Sequence, residues 1–173
     1  MCQFQNHSDS HHDIHIAILQ HLENLFSGIC QFRIEKIIKV CRENKIEITG
    51  NVFRKPAEEI KKIIKVCREN GIEITGSVFR QSAEETERII KICRENGIEI
   101  TGSVFLKKAS KLEESIKYIK ENYGNEYLKP LIVSKDVNYL KVIFPYLESL
   151  GVLPIVANSS MILALTKEEI EER

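Results

Sequence analysis

Apolar residues in the middle of this chain fall at helical spacing, and they do so again and again. In P-A-E-E-I-K-K-I-I-K-V-C-R-E-N-G, Ile60, Ile63, Ile64 and Cys67 stand at i, i+3, i+4 and i+7, one stripe on a helix whose other faces are charged. Pro56 suits a first-turn position, Glu58 and Glu59 complement the helix N-terminus, and Gly71 supplies a left-handed stop. The pattern predicts a helix from about Pro56 to Asn70. One copy later, Ser82-x-x-Glu85 reads as a capping box and Gly97 repeats the stop. The intervening I-E-I-T-G-S-V-F-R predicts an extended step and then a short helix of one or two turns, capped by Thr75 and burying Val78 and Phe79.

The string C-R-E-N followed by I-E-I-T-G and V-F occurs three times at a spacing of 26 residues, starting at Cys41, Cys67 and Cys93. Such a period is the signature of an array in which each unit buries its apolar face by stacking on its neighbours. The register runs on: the first stripe position reads Ile34, Ile60, Thr86, Leu112, Leu140 and Ile170, with later offsets widened to 28 and 30. Pro145 falls inside the fifth long helix, where it is expected to kink or break it. The fold class expected is an all-α solenoid of five to six helix/short-helix repeats with a period of about 26 residues.

Three segments follow. Residues 1–12 read as a disordered His-rich tail, 13–32 as an N-terminal capping helix burying Ile14, Ile18, Leu22 and Leu25 and ended by Gly28, and 33–173 as a single solenoid. The last helix, opened by Thr166-x-x-Glu169, is short at Arg173, which suits a piece of a longer array.

Composition narrows the function. Twenty-five Lys and Arg balance twenty-five Asp and Glu over 173 residues, so net charge names no partner. Its distribution says more: residues 33–124 carry 20 basic and 15 acidic side chains, between two mildly acidic ends. No stretch approaches the roughly 20 apolar residues that span a bilayer, and the N-terminus lacks the basic region of a signal peptide, so no membrane role and a cytoplasmic location are expected. Cys41, Cys67 and Cys93 hold one column of stacked helices about 8–10 Å apart, too far for disulfides, and read as buried free thiols.

Candidate chemistry is sparse. His7, His11, His12 and His15 with Asp9 and Asp13 have spacings that could face a metal, but no second element offers closing ligands, so a solvated tail is the better reading and no metal or other cofactor is expected. No phosphate-cradling glycine motif, G-x-S-x-G or Cys/His pairing is visible outside that tail, and the repeated carboxylates are periodic where an active site is a single constellation; the chain is not expected to be an enzyme. The charged face offers more. Lys39, Lys65, Lys91 and Lys117 hold one position, and Arg42, Arg68, Arg94 and Lys120 hold the position three residues on. Stacking makes these a double basic ladder able to follow phosphates, to which Arg54 and Arg80 of the short elements are expected to add. Against it stand i, i+4 pairs such as Glu35/Lys39, Glu87/Lys91 and Glu113/Lys117, a parallel acidic row at Glu43, Glu69, Glu95 and Glu121, and two basic columns with no aromatic residue among them.

F-P-Y-L-E-S-L-G-V at 144–152 and S-S-M-I-L-A-L-T-K-E-E-I-E-E-R at 159–173 resemble the mitochondrial transcription termination factor family, with Asn158, Ile162, Leu163, Thr166 and Ile170 matching its short-helix pattern. Ser160 stands where that pattern has proline, and the central copies use Thr-Gly. The resemblance implies a curved α-solenoid whose basic face binds nucleic acid; it carries over no contacting residue. The expected function is a non-catalytic, monomeric binding scaffold for DNA or RNA through the basic ladder, with a protein or peptide scaffold as the alternative.

Overall fold

The computed structural model describes residues 28–151 and 153, and the described residues are helical with no strand. The calls on 1–27, including the His tract and most of the capping helix, lie outside them, as do Asn158, Ile162, Leu163, Thr166 and Ile170. The long helices are α1 (28–43), α2 (Ala57–Glu69), α3 (Ala83–Glu95), α4 (Ala109–Asn122) and α6 (Val137–Ser149), with a single-turn α5 (Pro130–Val133) between the last two. Gly28, expected as a helix stop, is itself helical and continuous with 29–43.

The apolar stripe explains which faces meet. Ile60, Ile63 and Cys67 are wholly buried, as are Ile89 and Cys93 in α3 and Leu112 and Ile119 in α4, each contributing about 1.5–3 kcal/mol of burial for a large aliphatic side chain. The long helices pack in chain order, α2 on α3, α3 on α4 and α4 on α6. The links between them form a second layer: 3₁₀ turns at Val52–Arg54, Val78–Arg80 and Gly102–Leu106 pack on one another in the same order, and α5 packs on the third.

Local chemistry departs from expectation at four places. Pro56 lies just outside α2, extended at φ −68° and ψ 154°, where it caps the chain end of the helix instead of joining its first turn. The short element is three residues of 3₁₀ helix opened by Ser77, and Thr75 does not cap it. The Thr75 hydroxyl instead lies against the following link: a Cβ on Gly102 would stand 3.2 Å from Thr75 Oγ1, and one on Gly76 would stand 2.9 Å from Thr49 Oγ1. Glycine is therefore required after threonine because successive links approach so closely. Finally, α6 runs from Val137 to Ser149 with Pro145 inside it; Leu140, Ile143, Phe144 and Leu147 are buried along its inner face and hold it together across the missing N–H.

C-R-E-N can now be read letter by letter. The cysteine is core. The asparagine ends the helix by folding back on it: the side-chain amides of Asn44, Asn70 and Asn96 donate to the carbonyls of Val40, Val66 and Ile92 at 2.8, 2.9 and 2.7 Å. After it, Gly71 and Gly97 sit at φ +66°, and Lys45 takes the same left-handed position at φ 55°.

Candidate functional site: a charged face across the long helices

On each long helix the core stripe is flanked by one edge that meets the preceding helix and one that meets the following helix. Glu59 and Glu85 lie on the forward edge. Glu59 Oε1 accepts from the Ala83 N–H at 2.7 Å, and Glu85 Oε1 accepts from the Ala109 N–H, so each carboxylate satisfies the first free amide of the next helix. The Ser82-x-x-Glu85 box is thus half formed: Ser82 Oγ accepts from the Glu85 N–H at 3.2 Å, while the Glu85 side chain serves its neighbour. At the corresponding place in α4 stands Lys111, which pairs with Glu114 at 2.8 Å on its own helix.

The arginine column lies on the backward edge. Arg94 donates from Nη1 to Asn70 Oδ1 at 2.6 Å and from Nη2 to the Asn70 carbonyl at 2.9 Å, clasping the C-terminus of α2. Arg68 reaches the Asn44 carbonyl at 3.4 Å. Both therefore spend donors on stacking one helix upon the last. The lysine column points outward. Lys39, Lys65, Lys91 and Lys117 are 73–75% exposed and lie 3.7–3.9 Å from Glu43, Glu69, Glu95 and Glu121. The acid that each lysine meets is the one four residues after it, and the pairings of Glu35, Glu87 and Glu113 expected from the sequence give way to these.

Grooves run along this face between successive helices. One of about 260 Å³ is lined by Asn44, just past α1, and Lys61, Ile64, Lys65, Arg68 and Glu69 of α2. Another, about 340 Å³, is lined by Ile92 of α3 and its C-cap Asn96, with Ile116, Lys117, Lys120 and Glu121 of α4 among its residues. Each has an isoleucine floor and walls of both charges. Arg54 and Arg80 end the 3₁₀ turns in the other layer, away from the long-helix face that carries the ladder. The structure thus brings Lys39, Lys65, Lys91, Lys117 and Lys120 onto one face, gives Arg68 and Arg94 partners within the fold, and sets Arg54 and Arg80 apart.

Aromatic residues enter at one end. Tyr118, beside Lys117 in sequence, turns toward α6, where Lys141 lies over its ring at 5.9 Å. Tyr123 packs edge-on to it at 5.9 Å and to Phe144 at 4.8 Å. Burial also acts on the thiols: it pushes Cys67 and Cys93 up to about 11, so neither is a reactive thiolate. A polar cluster beside α4 is structural by geometry: Ser115 Oγ donates to the Lys135 carbonyl at 2.9 Å, and Lys107 Nζ donates to the same carbonyl. Among the described residues no three His, Cys, Asp or Glu side chains gather to hold a metal, and no helix is long and apolar enough to cross a membrane. No family model matches the chain, and comparison with curated proteins and with solved structures finds no match either.

Proposed function

We propose that the chain is an α-solenoid with a unit of about 26 residues, resembling mitochondrial transcription termination factor repeats at its C-terminal end, and that it is a non-catalytic scaffold binding DNA or RNA phosphates along the lysine column. The observation that carries this reading is the state of those lysines. Their carboxylate neighbours stand at 3.7–3.9 Å, beyond the 2.7–3.2 Å of a formed N–H···O bond, so the ammonium donors are held near the acids without being consumed by them. Exposed pairs of this kind contribute about 0.2–1 kcal/mol, little enough for a phosphate to displace. The arginines have a different task in this reading, since Arg94 works between helices. The scaffold acts as a monomer in the cytoplasm.

Salt titration of binding to a short DNA or RNA tests this. Four lysine contacts give a slope of log K against log[salt] of about −3, and Lys65→Ala with Lys91→Ala makes it shallower by about 1.5. Arg94→Ala should lower stability and leave the slope alone. Absence of binding at low salt, or an unchanged slope in the lysine variant, rejects the reading. The grooves favour a second one: their isoleucine floors between walls of both charges suit a protein or peptide segment, and the acidic row beside the lysines suits it better than it suits phosphate.

A further inference from the structure

The cations on the two layers of this fold are in different states. On the long helices Lys39, Lys65, Lys91 and Lys117 each face an acid. The links offer none: segments 48–57, 74–83 and 100–109 hold five Lys and Arg and no Asp or Glu. Acids in the first helical turns that follow are engaged elsewhere, Glu58 by Lys61 at 3.1 Å, and Glu59 and Glu85 by the amides of Ala83 and Ala109. Arg54 and Arg80 hold one position of successive 3₁₀ turns that pack on each other. Both are exposed, and among the described residues neither side chain forms an ion pair or a hydrogen bond.

The next position is used by the fold itself. Gln81 Nε2 donates to the Phe105 and Lys107 carbonyls at 2.7 and 3.0 Å, and Lys107 Nζ donates to the Lys135 carbonyl, tying each link to the following one. Leu106 takes the arginine's place in the third link. It is 49% exposed, and Leu131 of α5, which packs on that link, is 42% exposed. The layer thus runs from unpartnered guanidinium groups to uncovered aliphatic side chains.

We infer that the link layer is a docking surface for an acidic segment of another protein, whose carboxylates meet Arg54 and Arg80 and whose aliphatic side chains cover Leu106 and Leu131. Charge complementarity carries the choice. A guanidinium presents a planar fork of donors that fits a carboxylate, and these two have no internal partner to give up. A phosphate backbone would satisfy the arginines and leave the leucines wet. A polypeptide supplies both chemistries, as protein interfaces combine an apolar centre with a polar rim. The surface lies away from the lysine column, so one scaffold can hold two partners; the inference goes beyond phosphate binding and does not need it.

Fluorescence anisotropy with the full chain tests it, using labelled peptides that join a block of Glu and Asp to a block of alternating Leu and Ser, in both orders. One order should bind, and Arg54→Glu with Arg80→Glu should weaken it about tenfold or more. Arg54→Gln with Arg80→Gln, which removes the charges without reversing them, should weaken it less. Leu106→Ser should weaken it about threefold, and Lys65→Ala with Lys91→Ala should leave it unchanged. Binding of neither peptide, or a Kd that neither arginine variant moves, overturns the inference. So does cosedimentation with phosphatidylserine vesicles that the Glu pair abolishes, because the occupant is then an anionic membrane. A salt slope for DNA that becomes shallower in the Gln pair overturns it too, because the arginines then belong to the phosphate site.

Discussion

Thr86 occupies the position that Ile60, Leu112 and Leu140 fill in the neighbouring long helices, and its hydroxyl is buried without a hydrogen-bond partner. A buried hydroxyl left unbonded costs about 1–3 kcal/mol. Thr86→Val keeps the shape and removes that cost, so it should raise stability by about 1 kcal/mol, measured as a shift in urea midpoint with the m-value unchanged. Ser115 makes the instructive contrast. It too stands in an apolar column, between Ile89 and Ile143, yet its hydroxyl reaches the Lys135 carbonyl. Sequence alone does not separate the two, because both are small hydroxyl residues at stripe positions. The difference lies in whether a neighbouring link offers a carbonyl, as the link at Lys135 does for Ser115.

At the scale of elements, the helices were legible and their joints were not. Ile60, Ile63, Ile64 and Cys67 announced α2 through their spacing, and Asn70-Gly71 announced its end. Pro145 does not break α6, because the buried inner face of the helix outweighs one lost backbone bond. The joints escaped because Glu59 and Ala83, or Arg94 and Asn70, are 24 residues apart and meet only once the helices have stacked. Glu85 was read as capping its own helix on local grammar, and the structure hands its carboxylate to the next. The joint can be tested at Glu59. Glu59→Ala leaves the Ala83 amide without its acceptor and should cost about 1–2 kcal/mol in urea unfolding, while Glu59→Gln, which keeps an oxygen in place, should recover about half. The ladder was legible as a row of letters, but its division into outward lysines and stacking arginines needed the geometry of the edge.

For the molecule as a whole, the cysteine column couples stability to alkaline pH. Cys67 and Cys93 rise from 9.0 to about 11 through burial. Between those values the unfolded chain releases thiol protons that the folded chain retains, so stability is intact below pH 9 and falls as pH rises toward 11. A rise of this size corresponds to roughly 2–3 kcal/mol for each thiol at the upper end. Unfolding free energy from urea curves should therefore drop steeply between pH 9 and 10.5, and Cys67→Ala with Cys93→Ala should flatten the drop at some cost in packing. A flat profile in the unmodified chain would mean that the column opens to solvent.

The close approach of Thr49 to Gly76 and of Thr75 to Gly102 is one joint made twice with the same two residue types, as are the Glu59–Ala83 and Glu85–Ala109 caps. A joint that does not depend on where it falls in the chain makes length an editable property. Excising residues 71–96 would bring Asn70 directly against Gly97, restoring N-G-I-E-I-T-G, with Thr49 set against Gly102 and Glu59 against Ala109. Such a joint gives this fold a way to change the reach of its charged face without redesigning any contact.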